Sequence, residues 1–202
     1  MKVCLQCMGC YVNGRYSHKW LNADELEEAY EKLDVPIEDH PTWVEPILSL
    51  SQQVCKDVAC FSDEWMIADY DGISLGSEHP HIPTLIGVMR FYGDTNGGTA
   101  AEAAIRLYWD NSTNPLSSEE TRDAITEVWH HLQEVDVGWD ATKADWGMEQ
   151  AESMGLISSD HPLYSYIDFE QYADALLHDY YTIKVDYHTF AIDYGTLSEL
   201  IA

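Results

Sequence analysis

The chain has 202 residues, 46% of them hydrophobic and including 7 Trp and 13 Tyr, enough to build real cores in one large domain or in two to three small ones. Its 36 Asp and Glu face only 10 Lys and Arg, a formal net charge of −26, which sets aside nucleic acid as a direct partner because both would be polyanions. Acids outnumber bases throughout, from 8 against 4 in residues 1–40 to 11 against 2 in residues 141–202, so the charge belongs to a folded surface and not to a disordered acidic tail.

Met1 to Val12 reads as a buried strand, Asn13-Gly14 as a hairpin turn, and Arg15 to Leu21 as the returning strand. Asn22 or Asp24 then caps a helix in which Leu26, Ala29, Tyr30 and Leu33 recur at helical spacing, while Glu25, Glu27, Glu28 and Glu31 take the other face. Residues 35–62 are punctuated by Pro36, Pro41 and Pro46 and predict only a short helix near Pro46 to Val54. Glu64 to Tyr70 is the next strand, closed by Asp71-Gly72, and completes a small antiparallel sheet. After a linker over Ser77 to Pro83 the pattern turns helical: Thr84 to Tyr92, Thr99 to Trp109 beyond the Gly97-Gly98 break, and Ser117 to Val135, opened by Ser-Ser-Glu-Glu. Helices over Ala141 to Met154, stopped by Gly155, and over Asp168 to Leu177 precede two short strands, Tyr181 to Asp186 and Thr189 to Asp193. The fold class is α+β: an N-terminal α+β domain over residues 1–76, a mainly helical middle over 77–135, and a C-terminal α+β domain of helices plus a short β-hairpin over 136–202.

The first apolar stretch is broken by Gln6 and Gly9 and runs into Asn13-Gly14-Arg15, and no run approaches 18 apolar residues, so neither a secretory signal nor a membrane span is expected. The five cysteines should then be reduced thiols in a cytoplasm. Cys4, Cys7 and Cys10 have the spacing of a metal-binding run, but no fourth ligand is evident, and on a strand Cys7 points away from the other two; they read as small buried apolar residues. His79-Pro80-His81 and His130-His131 lack the spacing of a zinc hydrolase, and Asp69-x-Asp71-Gly72 and Asp94-x-Asn96-Gly97 read as turns because neither continues as a calcium loop. No phosphate-binding loop, dinucleotide fingerprint or nucleophile elbow is present, so no enzyme activity, catalytic residue, metal or cofactor is expected.

The acids on helical faces are the informative feature. Asp145, Glu149 and Glu152 fall on one stripe; Glu120, Asp123 and Glu127, with Glu119 and Glu134 nearby, on a second; Glu25 and Glu28 begin a third. Like charges at this spacing cost a helix a few tenths of a kcal/mol per pair, and almost no Lys offsets them. Duplex DNA carries one negative charge per about 1.7 Å, so a net charge of −26 corresponds to roughly 44 Å of duplex, about 13 base pairs. Halophilic adaptation would also produce an acidic, Lys-poor surface, although with fewer large aromatics and cysteines.

Several stretches, in order, resemble the ArdA family of antirestriction proteins. Val3-Cys4-Leu5-Gln6-Cys7-Met8-Gly9-Cys10-Tyr11, followed by Asn13-Gly14 and Trp20, is similar to the family's opening strand, turn and returning Trp. Glu64-Trp65-Met66-Ile67-Ala68-Asp69-Tyr70-Asp71 is similar to its aromatic strand. Met154-Gly155-Leu156, Tyr166-Ile167-Asp168-Phe169-Glu170-Gln171-Tyr172-Ala173 and Tyr181 to Ile192 resemble its C-terminal helix and hairpin. This chain departs from the pattern at His18 (usually Gly), at Ala68 (usually His) and at Asp174-Ala175 (usually Arg-Asp), the last in the stretch the family associates with antirestriction.

The resemblance implies an elongated, three-part, homodimeric protein of the bacterial host cytoplasm, encoded on mobile elements or phages. Such a protein imitates bent B-form DNA in the DNA-binding groove of type I restriction–modification enzymes. Glu25, Glu28, Asp69, Asp71, Glu119, Glu120, Asp123, Glu127, Glu134, Asp145, Glu149, Glu152, Asp168 and Asp174 are then the expected phosphate surrogates. An acidic mimic or adaptor directed at another DNA-binding protein, such as a CRISPR effector or a nucleoid protein, would share every physical feature.

Overall fold

The computed structural model describes residues 1–15, 17–31, 65–77, 80–137 and 142–201. The helix expected near Pro46 to Val54 lies outside them. The fold is α+β, with two three-stranded antiparallel sheets and eight α-helices among the described residues. These residues divide into two compact units: those within Met1–Asn96 and Pro115–Asp123, and those within Gly97–Asn114 and Ala124–Ala202.

In the first unit the apolar opening of the chain becomes β1 (Lys2–Cys7), the central strand of a sheet ordered β2-β1-β3. Its run of five buried residues means that both faces of the strand are covered, where a half-exposed strand would alternate. β2 (His18–Leu21) and β3 (Trp65–Asp71) flank it in antiparallel register, Val3 opposite Leu21 and Tyr70, with a register shift at Cys4/Leu5 on the β3 side. The strand expected to continue to Val12 instead ends at Cys7. Met8–Val12 form a short helix, α1, closed by Asn13 Nδ2 donating to the Gly9 carbonyl at 2.7 Å and by Gly14 at φ +70°. The apolar run was compatible with either structure; the Asn-Gly turn acts here as a helix stop, and β1 hydrogen-bonds to β2 across it.

Helix α2 (Ala23–Glu31) starts with the reciprocal bonds of a capping box: Glu25 N–H donates to Asn22 Oδ1 and Asn22 N–H to Glu25 Oε2, both at 2.9 Å. Leu26 and Ala29 are its buried face. Helix α3 (Ile82–Asp94), with Pro83 in its first turn, buries Ile82 and nearly every residue from Thr84 to Phe91, as expected of a helix apolar all round. Ile82, Leu85, Ile86 and Met89 join Val3, Leu5, Cys7, Leu21, Leu26 and Ile67 in one core. Each large aliphatic side chain buried there contributes about 1.5–3 kcal/mol relative to an exposed one. Cys4, Cys7 and Cys10 are buried, as the reading of small apolar residues requires.

Helices α4 (Thr99–Asn111) and α5 (Ser118–His131) follow the expected helical pattern. The helix expected to reach Val135 stops at His131, however, and Gln133–Val137 form β4. Val128, Leu132 and Val135 have helical spacing, which misleads; pairing with a later strand decides the outcome. β4 lies beside β6 (His188–Asp193), which pairs with β5 (Tyr180–Val185), giving the order β4-β6-β5. The expected C-terminal hairpin is present and is part of this larger sheet. Two small cores cover it: Val135, Trp146, Ala173 and Ala191, and Ala103, Val185 and Phe190.

Helix α6 (Thr142–Ser153) packs on α7 (Phe169–Leu176), and Gly147 makes the approach possible, since a Cβ there would collide with the Phe169 carbonyl oxygen. Gly155, at φ +68°, stops α6, while Leu156 N–H returns to the Ala151 carbonyl at 3.0 Å. A last helix, α8 (Tyr194–Leu200), was not expected; Asp193 caps it by accepting from Thr196 N–H at 2.9 Å.

Candidate functional site

All fourteen expected surrogate carboxylates are exposed. Each helical stripe is the outer face of an amphipathic helix. On α6, Trp146 and Ala151 are buried while Asp145, Glu149 and Glu152 face solvent; on α5, Ile125 and Val128 are buried while Glu119, Glu120, Asp123 and Glu127 are exposed. On α2, Glu25 and Glu28 lie opposite Leu26 and Ala29. Asp69 and Asp71 stand on β3, at one edge of the first sheet, and Glu134 on β4, at one edge of the second.

Local chemistry separates these acids into kinds. Glu25, Glu120 and Asp168 are helix caps as well as surface charges. Ser117 donates to Glu120 through its hydroxyl at 2.7 Å and its N–H at 3.0 Å, and these bonds hold the Glu120 carboxyl below the usual carboxylate range. Asp168 accepts from Gln171 N–H at 3.0 Å at the start of α7. Asp69 accepts from Tyr70 N–H, and Glu152 from the Tyr164 hydroxyl at 3.0 Å. Asp123 lies 3.5 Å from the Arg122 guanidinium, Glu134 meets His188, and Asp174 is ion-paired with Lys143. Asp71, Glu119, Glu127, Asp145 and Glu149 make no ion pair among the described residues.

The acidic surface extends beyond the helical stripes. Twenty-four of the twenty-seven acidic residues in the described part are exposed, and Glu27, Glu102 and Asp136 are half-buried. Reasoning from stripes therefore missed Asp24, Asp94, Asp110, Asp160, Glu170, Asp179, Asp186, Asp193 and Glu199. Charge excess alone would have found them, since an acid without a partner is rarely buried. Four described cations meet acids: besides Arg122 and Lys143, Arg90 is paired with Glu27 and lies 3.9 Å from Asp24, and Arg106 is 2.6 Å from Glu102. A polar recess of about 380 Å³ in the first unit is lined by Glu27, Arg90, Ser118, Glu119 and Arg122, so acids balance its two guanidiniums.

Asp69 also acts inward: burial first, and then the nearby Asp69 charge, push the Cys4 thiol up, which disfavours a reactive thiolate. Among the described residues no group of three or more His, Cys, Asp or Glu is arranged to hold a metal ion. None of their helices is long and apolar enough to cross a membrane.

These features define a class: an α+β protein whose described surface is dominated by carboxylates, most of them held in place by local bonds or left without a cation. A model of the antirestriction protein ArdA matches residues 3–190 of the 202, and the chain belongs to that family. Comparison with the curated proteins finds no match.

Proposed function

We propose that this antirestriction protein is a DNA mimic, which occupies the DNA-binding groove of a type I restriction–modification enzyme as a homodimer and acts by occupancy rather than by catalysis. The observation that carries the reading is the exposure of twenty-four of twenty-seven described acids on a chain of the ArdA family. Carboxylates take the place of phosphates and meet the Lys and Arg that line such a groove. The fourteen acids named from the sequence act collectively, and those without a cation, Asp71, Glu119, Glu127, Asp145 and Glu149, contribute most per residue. Asp174 contributes less, because Lys143 offsets it. The three segments 1–76, 77–135 and 136–202 each present part of the charge, and the protein works in the cytoplasm, where its target acts.

Steering by a field of this size makes association fast and strongly dependent on ionic strength. Titrating the protein into a purified type I enzyme bound to labelled DNA, at low and at high salt, is the direct test. Displacement of DNA that weakens as salt rises is the expected result. No displacement at large excess sinks the type I assignment and directs the search to other DNA-binding proteins.

A further inference from the structure

The opening of the chain is the exception to the acidic surface. Met1–Asn22 contain no Asp or Glu, whereas residues 23–202 carry all 36, and three of the ten Lys and Arg, namely Lys2, Arg15 and Lys19, fall within those 22 residues. The most exposed strand of this stretch is β2, where His18, Lys19 and Trp20 all face solvent. The first acids to follow already have partners: Asp24 lies 3.9 Å from Arg90, and Glu25 accepts from Asn22 N–H. A basic groove that rewards carboxylates would gain nothing from this strand.

β2 is also an open edge. Among the described strands it has a neighbour on one side only, in the order β2-β1-β3. Cys7 N–H donates to Ser17 O at 3.1 Å, and from that bond the antiparallel alternation fixes the rest. Lys19 and Leu21 turn their backbone groups toward Leu5 and Val3, while His18 and Trp20 turn theirs away from β1. Among the described residues nothing takes up the outward N–H and C=O of His18 and Trp20. The side chains alternate as well: His18 and Trp20 share one face of the sheet, Trp20 being 39% accessible, and Lys19 stands on the other.

We infer that the outer edge of β2 receives an extended segment of a partner protein in which apolar and acidic residues alternate. The outward backbone groups supply main-chain hydrogen bonds, the Trp20 indole packs against the segment's apolar side chains, and the Lys19 ammonium, on the opposite face, meets its carboxylates. Charge selects the occupant. Lysine on a four-residue edge deters a second copy of the same edge, because like charges would meet, and favours an acidic strand instead. The net charge of −26 opposes such a strand at long range, but physiological salt confines that repulsion to about 8 Å, and at contact the acid-free edge decides.

The test is titration of the full chain, at physiological salt, with two end-blocked hexapeptides, one alternating valine with glutamate and the other valine with lysine. Binding is followed through the backbone amide resonances and the hydrogen exchange of His18 and Trp20. The glutamate peptide is expected to shift both amides and slow their exchange. The lysine peptide, drawn to the acidic faces, is expected to leave them unchanged. Lys19→Glu should weaken binding of the glutamate peptide about fivefold. His18→Pro removes one outward N–H, leaves the pairing with β1 intact and should weaken binding similarly, read at Trp20. Melting curves of the two variants, both at exposed positions, check that the sheet persists. Amides of His18 and Trp20 that ignore the glutamate peptide at millimolar concentration overturn the inference, as does equal protection by both peptides or unchanged affinity in Lys19→Glu. Neither DNA nor a restriction enzyme is present, so the outcome is independent of the proposed mimicry, which the DNA competition tests separately.

Discussion

Asp168 shows how one carboxylate can serve the fold and the surface at once. Its side chain accepts from Gln171 N–H and caps α7, and its charge remains exposed. Asp168→Ala should lower stability by about 1 kcal/mol, read in a thermal melt, whereas Asp168→Asn, which keeps the acceptor and loses the charge, should melt close to wild type. A melt lowered equally by both would remove the capping role. Tyr70 gives a pH dependence of known sign. Burial pushes its hydroxyl up to about 12 from 10, and the hydroxyl donates its proton to the Ser77 carbonyl. The folded protein therefore keeps that proton more tightly than the unfolded chain. Its contribution is intact below pH 10 and is lost as pH rises from there through about 12. Tyr70→Phe should flatten this alkaline part of the stability profile, and an identical fall in the variant would assign it to other groups.

At the scale of elements, α6 is the clearest case of an acidic face carried on a buried stripe. Trp146 is anchored inward, its Nε1 donating to Gln133 Oε1 at 2.9 Å, while Asp145 and Glu149 face solvent. Asp145→Lys/Glu149→Lys keeps a like-charged pair at the same spacing, so the helix should be no less stable by more than a few tenths of a kcal/mol. DNA displacement should nevertheless weaken by at least roughly tenfold and lose part of its salt dependence. Displacement equal to wild type would exclude α6 from the contact. Such amphipathic helices were legible in the sequence because period and charge agree in them, as Leu26 and Ala29 against Glu25 and Glu28 show. The errors came where short-range pattern is ambiguous. Five residues, Met8 to Val12, are too few to separate strand from helix, Val135 keeps helical spacing but is captured by β6, and the seven residues of α8 carry little periodicity. The acidity of the site was legible because unpaired acids must face water. Which of them meet a cation was not, because Lys143 and Asp174 are 31 residues apart and only α6–α7 packing joins them.

For the whole molecule, a net charge of −26 is a standing strain on the folded state. The described ion pairs consume Arg90, Arg106, Arg122 and Lys143 and leave most of the acids uncompensated. Moderate sodium chloride should therefore raise the melting temperature. A melting temperature that falls with salt would mean that the ion pairs outweigh the repulsion. The caps have one further consequence, for the conformational freedom of the charges. Ordering a Glu side chain costs up to about 2 kcal/mol in rotamer entropy. Glu25, Glu120 and Asp168 have already met that cost in folding, because backbone N–H groups fix their carboxylates before any partner arrives. In the proposed complex a groove would find part of its imitation phosphate backbone preorganised, as stiff at those points as the duplex it displaces, and only the acids between them would have to settle into place.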